Sequence, residues 1–194
     1  MATVLTPPAF RPLEPLPKRW TRDEYRKLID DGYLTDGKCE LIEGEIIEKM
    51  AHGRRHIIAV TRAIAELGTI FGVQTLQTQG TLYIGTASDP EPDVAVLTRD
   101  VGDFLDEDPG PDNVHLLVEV SDSSLRLDMN TKSGTYARAG IPEYWVVNIN
   151  ARTLEVFRQP GPQGYAEMMT LQATESVRPL AAPTSEISVA DLLP

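Results

Sequence analysis

One carboxylate interrupts the apolar run Val114-His115-Leu116-Leu117-Val118-Glu119-Val120. A run so rich in leucine and valine predicts a strand that is buried on both faces of a sheet. An ionised glutamate in such a strand is costly to desolvate unless a cation or several hydrogen bonds compensate its charge. Glu119 is therefore the first candidate for a functional residue in this chain.

A second carboxylate and a lysine indicate what could compensate Glu119. The stretch Glu91-Pro92-Asp93-Val94-Ala95-Val96-Leu97 is another apolar strand that opens on Asp93, and Lys132 lies early in a helical stretch. Mg²⁺ prefers oxygen ligands and commonly takes only one or two protein carboxylates. Asp93 and Glu119 on neighbouring strands could supply that pair, and the backbone carbonyl of Val120 could add a third ligand.

This set of groups predicts a metal-dependent phosphodiester hydrolase. A divalent ion stabilises charge on the scissile phosphate and makes bound water easier to deprotonate. Lys132 would orient the attacking water or neutralise the developing charge. Side chains alternate along a strand, so Glu119 shares one face with Leu117, while Val118 and Val120 share the other. Both carboxylates are thus predicted at or near the ends of apolar strips, where a site at a sheet edge is built.

Each of these residues also has an ordinary structural interpretation. A Pro-Asp pair at Asp93 is often turn chemistry. Glu119 could be neutral or paired in a salt bridge, and Lys132 could lie on the surface. His56 and Tyr136 are candidates for supporting roles, although the ordinary interpretations are a helix-end or core imidazole and a core-filling ring.

Composition predicts an ordinary globular protein. The chain has 194 residues, 41% hydrophobic and 24% charged, which favours one domain with a sizeable core. No apolar run approaches the roughly 20 residues of a membrane helix, and the N-terminus does not resemble a secretory signal. The single Cys39 offers neither an intrachain disulfide nor a zinc set. We expect a cytoplasmic protein without membrane contact.

The net charge of −11 argues against a nucleic-acid partner. The charge is uneven, however, and local basic clusters could still form a groove. They consist of Lys18, Arg19, Arg22, Arg26 and Lys27, and of Lys49, Arg54, Arg55 and Arg62; the acidic residues Asp100, Asp103, Asp106, Glu107, Asp108 and Asp112 share one predicted loop. The alternative is that all of these groups are simply solvated.

The order of elements predicts an α/β (α+β) fold, with a central mixed β-sheet flanked by helices. Residues 1–17 are predicted to form a Pro-rich arm, and residues 18–194 a single domain. Thr21-Arg22-Asp23-Glu24 matches a capping box, which predicts a helix that ends at Gly32. The other predicted elements are a hairpin of Cys39–Ile42 and Glu45–Glu48, a helix at 56–67 closed by Gly68, paired strands at 81–84 and 93–97, a helix at 130–139, strands at 143–149, 154–157 and 165–171, and a terminal helix at 188–193.

A family resemblance supports this fold. Pro92-Asp93, Glu119-Val120 and Lys132 resemble the PD-(D/E)XK restriction-endonuclease-like superfamily. More closely, the chain resembles the bacterial Uma-two group of endonucleases from about residue 21 to residue 193. The most specific block is Tyr136-Ala137-Arg138-Ala139-Gly140-Ile141-Pro142-Glu143-Tyr144-Trp145. Further matching blocks lie at 40–45, at 56, at 91–96, at 118–124 and from 128 to 132.

The resemblance implies a restriction-endonuclease-like core that binds Mg²⁺ or Mn²⁺ through Asp93 and Glu119. In the usual superfamily pattern the lysine lies two residues after the glutamate, where this chain has Ser121. The resemblance implies that the lysine has moved to Lys132 on the following helix, as is usual for this group. Glu40 matches the early acidic position of the group and is implied as a further metal or water ligand.

Three functions remain open from the sequence. The leading one is a divalent-metal-dependent DNA endonuclease, whose catalytic residues are Asp93, Glu119, Lys132 and Glu40 and which acts as a homodimer on both strands. The second is a catalytically inactive member of the fold that binds nucleic acid or protein. The third is hydrolysis of a smaller phosphate ester, which suits an acidic surface better than a long polyanion does.

Overall fold

The computed structural model describes residues 16–194, so the predicted Pro-rich arm lies almost wholly outside the described residues. Helix α1 (Arg22–Asp30) begins where the capping box predicts. The Thr21 hydroxyl accepts the backbone N–H of Glu24, and the Glu24 carboxylate accepts the backbone N–H of Thr21. The helix ends at Asp30 rather than at Gly32, which follows with a positive φ of 78°.

The predicted hairpin is confirmed. Strands β1 (Cys39–Ile42) and β2 (Glu45–Glu48) pair antiparallel, with Ile42 opposite Glu45. The two turn residues Glu43 and Gly44 both have positive φ, as a two-residue type I′ turn requires. A Cβ atom at Gly44 would lie 2.9 Å from the Cβ of Arg19, so this close approach also needs glycine.

A six-stranded mixed sheet forms the centre of the fold, as predicted. Strands β5 and β6 are parallel, and every other neighbouring pair is antiparallel. Its order is β3-β4-β5-β6-β7-β8, built from β3 (Leu76–Gln77), β4 (Val94–Leu97), β5 (Val114–Ser121), β6 (Glu143–Asn148), β7 (Thr153–Gly161) and β8 (Gly164–Gln172).

Helices cover both faces of this sheet. They are α2 (Arg54–Phe71), α3 (Ser133–Ala139) and α4 (Val189–Leu192), and a small ladder of β9 (Ser176–Val177) with β10 (Ile187–Ser188) precedes α4. One apolar cluster joins α2 and α4 to Val118 and Val120, and a second joins α3 to Leu117. The predicted alternation along β5 is therefore confirmed. None of the helices in residues 16–194 is long and apolar enough to cross a membrane.

The strand predicted at 81–84 is wrong. The strand that pairs with β4 is β3, with Leu76 opposite Val96. The segment 79–82 runs beside Pro90 and Pro92: the N–H of Leu82 donates to the Pro90 carbonyl at 3.0 Å, and the N–H of Gln79 donates to the Pro92 carbonyl at 3.1 Å. Proline has no N–H to return, so a regular ladder cannot form there.

Helix α2 is longer at both ends than predicted. It begins at Arg54 rather than at His56, and it passes through Gly68 to end at Phe71. Gly68 lies inside the helix, where a Cβ atom would lie 2.9 Å from the Cγ1 of Val73, so the close approach of Val73 favours glycine at this position. Gly72, with φ of 87°, is the residue that ends the helix.

The helix predicted at 130–139 contains an irregularity. Its helical backbone begins before residue 130, and the segment Leu127–Lys132 is a π-helical turn that leads into α3. The N–H of Ser133 reaches the carbonyl of Asp128, five residues earlier, as well as that of Asn130. Gly140 ends α3 in the left-handed conformation, as predicted. Turns of this kind occur frequently at functional sites.

Candidate active site

A cleft of about 730 Å³ opens at the end of strand β5. Its walls come from the β1–β2 hairpin, the segment before α2, the start of β4, the end of β5 and the π-helical turn. All four predicted catalytic residues line it: Glu40, Asp93, Glu119 and Lys132. The structure therefore brings together side chains that lie far apart in the sequence.

Glu119 is buried on the face of the sheet that α3 covers. Its Oε1 accepts a hydrogen bond from the Lys132 Nζ at 2.9 Å and another from the Tyr136 hydroxyl at 3.1 Å. Both donors come from the helical segment that follows β5, so one crossover positions them over the carboxylate. Tyr136 is thus a contact of the site as well as a core residue.

Lys132 lies between two carboxylates. Its Nζ is 2.9 Å from Glu119 Oε1 and 3.0 Å from Glu40 Oε1. Burial alone would lower the pKa of Lys132, but the carboxylates of Glu119 and Glu40 raise it above its ordinary value. The side chain is therefore an ammonium ion at neutral pH. Glu40 arrives from β1, which explains why the early hairpin belongs to the site.

Asp93 lies directly before β4 and is held from two sides. Val94 pairs with Val118, so one further step of the register brings Asp93 alongside Glu119. Its Oδ2 accepts the backbone N–H of Val120 at 2.8 Å and lies 3.0 Å from the Nε2 of His56. His56 is buried in the first turn of α2, so this helix anchors the aspartate.

Asp128 holds the π-helical turn against β5. Its carboxylate accepts hydrogen bonds from the hydroxyls of Ser121 and Ser124, and its backbone carbonyl accepts one from Tyr144 at 3.2 Å. Ser121 occupies the strand position of the usual superfamily lysine, and here it anchors the turn that carries Lys132. Sequence reasoning did not assign Asp128 to the site, although it lies one helical turn before Lys132.

The buried part of the cleft carries more acidic than basic groups. The buried carboxylates are Glu40, Asp93, Glu119 and Asp128, whereas the buried basic groups are Lys132 and His56. Burial raises the pKa values of both Glu119 and Asp128. A divalent cation would relieve this excess negative charge, and carboxylate oxygens are the donors that Mg²⁺ prefers. The donor set therefore fits such an ion.

Sequence reasoning missed His52. Within residues 16–194, the one group of at least three histidine, cysteine or acidic side chains whose ligand atoms all lie within 4.8 Å consists of His52, His56 and Asp93. The two imidazole rings stack with their centroids 4.0 Å apart. Partial desolvation and the nearby His56 lower the pKa of His52, which favours its neutral form although the side chain reaches solvent. The four-residue spacing of the two histidines was the available signal, although Gly53 between them predicts a helix boundary.

Comparisons with known proteins identify similar chains. The family model described as "Uma2: Putative restriction endonuclease" matches residues 22–190. A solved structure, a putative nuclease of the DUF820 group from Anabaena variabilis ATCC 29413, is 18% identical in sequence and superposes with a TM-score of 0.69. The match covers 89% of this chain and 96% of that chain, which shows a common fold. The comparison with curated proteins found no match.

Proposed function

The chain belongs to the Uma2 family, and we propose that it is a divalent-metal-dependent endonuclease that hydrolyses DNA phosphodiester bonds. The observation that carries this proposal is the position of Lys132. Although Ser121 replaces the usual strand lysine, the Lys132 ammonium contacts Glu119 at 2.9 Å from the following helical segment. A cation and two strand carboxylates thus share one cleft.

In this proposal Asp93, Glu119 and the Val120 carbonyl would hold Mg²⁺ or Mn²⁺. The bound ion would act as a Lewis acid at the phosphate and lower the pKa of its water. His56 and the Val120 N–H orient Asp93, as the contacts of 3.0 and 2.8 Å indicate. Tyr136 orients Glu119.

Lys132 would supply fixed positive charge toward the phosphate. Preorganised charge in a water-poor site stabilises a transition state without further reorganisation. Glu40 contacts the same ammonium that Glu119 contacts, so we assign Glu40 as a positioning residue. This differs from its implied role as a metal or water ligand, because both of its oxygens are engaged: Oε1 contacts Lys132 at 3.0 Å, and Oε2 accepts the backbone N–H of Glu91 at 3.4 Å.

Nicking of supercoiled plasmid DNA tests the proposal. Purified protein at low salt would be assayed with Mg²⁺, with Mn²⁺ and with EDTA. We expect metal-dependent nicking that Lys132→Ala abolishes, because the variant loses the buried ammonium. Lys27→Ala is the matched control, since Lys27 is exposed and pairs with Asp31 on α1, outside the cleft.

Loss of activity must be separated from loss of folding. Lys132→Ala leaves Glu40 and Glu119 without their cation, so thermal unfolding would be measured beside it, together with Lys132→Arg. Equal nicking by wild type and a folded Lys132→Ala would reject this site. No nicking by the folded wild type with either metal would favour the inactive binding module, and turnover of a generic phosphodiester without DNA cleavage would favour a small phosphate ester.

We propose three further properties that accompany this function. Residues 18–194 form a single domain, and two copies form a homodimer that cuts both strands. The third property is a cytoplasmic location, which the free thiol of Cys39 suits because the cytoplasm is reducing. Light scattering on the eluting protein measures the mass, and a monomer at working concentration would reject the dimer.

A further inference from the structure

We propose that His52, His56 and Asp93 form a site for a transition-metal cation, with Zn²⁺ as the best fit, beside the carboxylate Glu119. Their ligand atoms all lie within 4.8 Å of one another. The residues come from two elements: the segment that begins α2 carries both histidines, and the start of β4 carries the aspartate. Glu119 is outside this group, and its Oε1 accepts a hydrogen bond from Lys132.

The chemistry of the donors selects the class of cation. Mg²⁺ and Ca²⁺ take oxygen ligands, whereas imidazole nitrogen suits zinc, copper, iron and nickel. Two histidines and one carboxylate, with a fourth position open to water, form a common zinc arrangement. The site therefore differs in preference from the pair of carboxylates that we propose for Mg²⁺.

The pair of ligands formed by His56 and Asp93 needs only a small adjustment to accept the ion. Ligand atoms about 2.1 Å from a tetrahedral zinc ion lie about 3.4 Å from one another. His56 Nε2 and Asp93 Oδ2 are now 3.0 Å apart, so they would separate by a few tenths of an ångström. The backbone N–H of Val120 would keep Asp93 oriented, because it donates to the same carboxylate. Such outer contacts strengthen metal sites.

The ion can enter from the cleft. His52 is solvent-exposed and lines the cleft together with His56 and Asp93. Gly53 between the histidines caps the N-terminus of α2 in an extended conformation, which turns the chain and stacks the two rings. An exposed histidine stacked on a buried one therefore leaves the site accessible from the cleft.

Asp93 belongs to this site and to the proposed Mg²⁺ site. Zn²⁺ bound by His52 and His56 would draw on the same carboxylate, so micromolar zinc would compete with the catalytic ion. That consequence rests on the proposed endonuclease function. Binding of zinc itself does not, since it is measured without DNA.

Isothermal titration of Zn²⁺ into the metal-free protein tests the site. The chain contains three histidines, His52, His56 and His115, and His115 lies on β5 beside Phe71. His115→Ala is therefore a matched control. We expect one zinc ion per wild-type chain, unchanged affinity in His115→Ala, and affinity weakened by more than about tenfold in His52→Ala.

The visible absorption of bound Co²⁺ is a second test of the site, and it does not depend on the titration. Co²⁺ added to wild type should give the visible absorption of a cobalt site with nitrogen ligands, and His52→Ala should lose it. His52 is exposed, so this variant is expected to fold. Equal zinc affinity in wild type and His52→Ala, or no zinc binding by the folded wild type, would overturn the site. Zinc binding without nuclease activity would reject only the proposed function.

Discussion

Lys132 and its two carboxylates are difficult to explain by stability alone. Removing charges from water is costly, and replacing a buried ion pair with apolar residues is often neutral or stabilising. Lys132 and Glu119 are nevertheless both almost completely buried, at 4% and 5% exposure. The retained charges therefore favour a functional explanation for the cluster, and the adjoining cleft gives a substrate access to it.

The sequence alone predicted most of the side chains that meet in the cleft. A carboxylate within an apolar strand is costly to desolvate, and this cost can be recognised from the sequence alone, so Glu119 was predicted first. Asp93 and Lys132 followed from its need for compensation, and the family resemblance added Glu40. His52 and Asp128 could not be found in this way, because one is exposed and the other depends on hydroxyls that the fold brings to it.

Asp128 should give the protein a distinct dependence of stability on pH. Burial raises the pKa of Asp128 above its ordinary value. Between the ordinary pKa and the raised one, the folded state therefore binds more protons at this group than the unfolded state does. The contribution of Asp128 to the free energy of unfolding should therefore fall as pH rises from the ordinary pKa of an aspartate through the raised pKa. Asp128→Asn keeps an acceptor for Ser121 and Ser124 but removes the titration.

Urea unfolding from about pH 4 to about pH 8 measures this effect. We expect Asp128→Asn to gain stability relative to the wild type as pH rises. Asp106→Asn is the control, because Asp106 is an exposed carboxylate of the acidic loop. Parallel pH profiles for the wild type and Asp128→Asn would show that the folded and unfolded states share one pKa for this group.

The strands were easier to predict than the irregular segments between them. Strand β5 is defined by a local pattern of apolar residues. By contrast, the position of 81–84 depends on the hydrogen bond from Leu82 to Pro90, which a strand pattern does not include. The π-helical turn at Leu127–Lys132 was not predicted either, because one extra residue in a turn barely changes apolar periodicity.

The end of α3 gives a prediction about the element that carries Tyr136. Gly140 has φ of 85°, where a side chain is strained although open space surrounds it. Gly140→Ala should lower the free energy of unfolding by about 1 to 2 kcal/mol. Gly134 is a matched control within the same helix: its Cβ would meet the guanidinium of Arg138, at 3.1 Å, which is the far end of a flexible side chain that pairs with Glu43.

Urea unfolding of both glycine variants separates the effect of left-handed backbone conformation from the effect of crowding around the new Cβ atom. Gly134→Ala should be neutral or stabilising by up to about 1 kcal/mol, because alanine favours helix more than glycine does. Equal destabilisation by both substitutions would mean that space, rather than the left-handed conformation, limits this segment.

Considered as a whole, the molecule is poorly suited to binding DNA by charge alone. Its net charge is −11, so a long polyanion is repelled except where cations are concentrated. Lys49 and Arg126 line the cleft, although Lys49 also pairs with Glu91 at 2.5 Å. Arg54 begins α2 between the cleft histidines. Few phosphates can therefore be neutralised at one time.

This limit predicts a shallow dependence of DNA affinity on salt. With about three phosphate contacts, affinity should fall about fortyfold between 50 and 200 mM salt. Fluorescence anisotropy with labelled duplex DNA in EDTA, which prevents turnover, measures the slope. Arg126→Ala should reduce the slope by about 1, whereas Arg178→Ala, outside the cleft and paired with Glu186, should leave it unchanged. A slope that neither substitution changes would place the DNA on another surface.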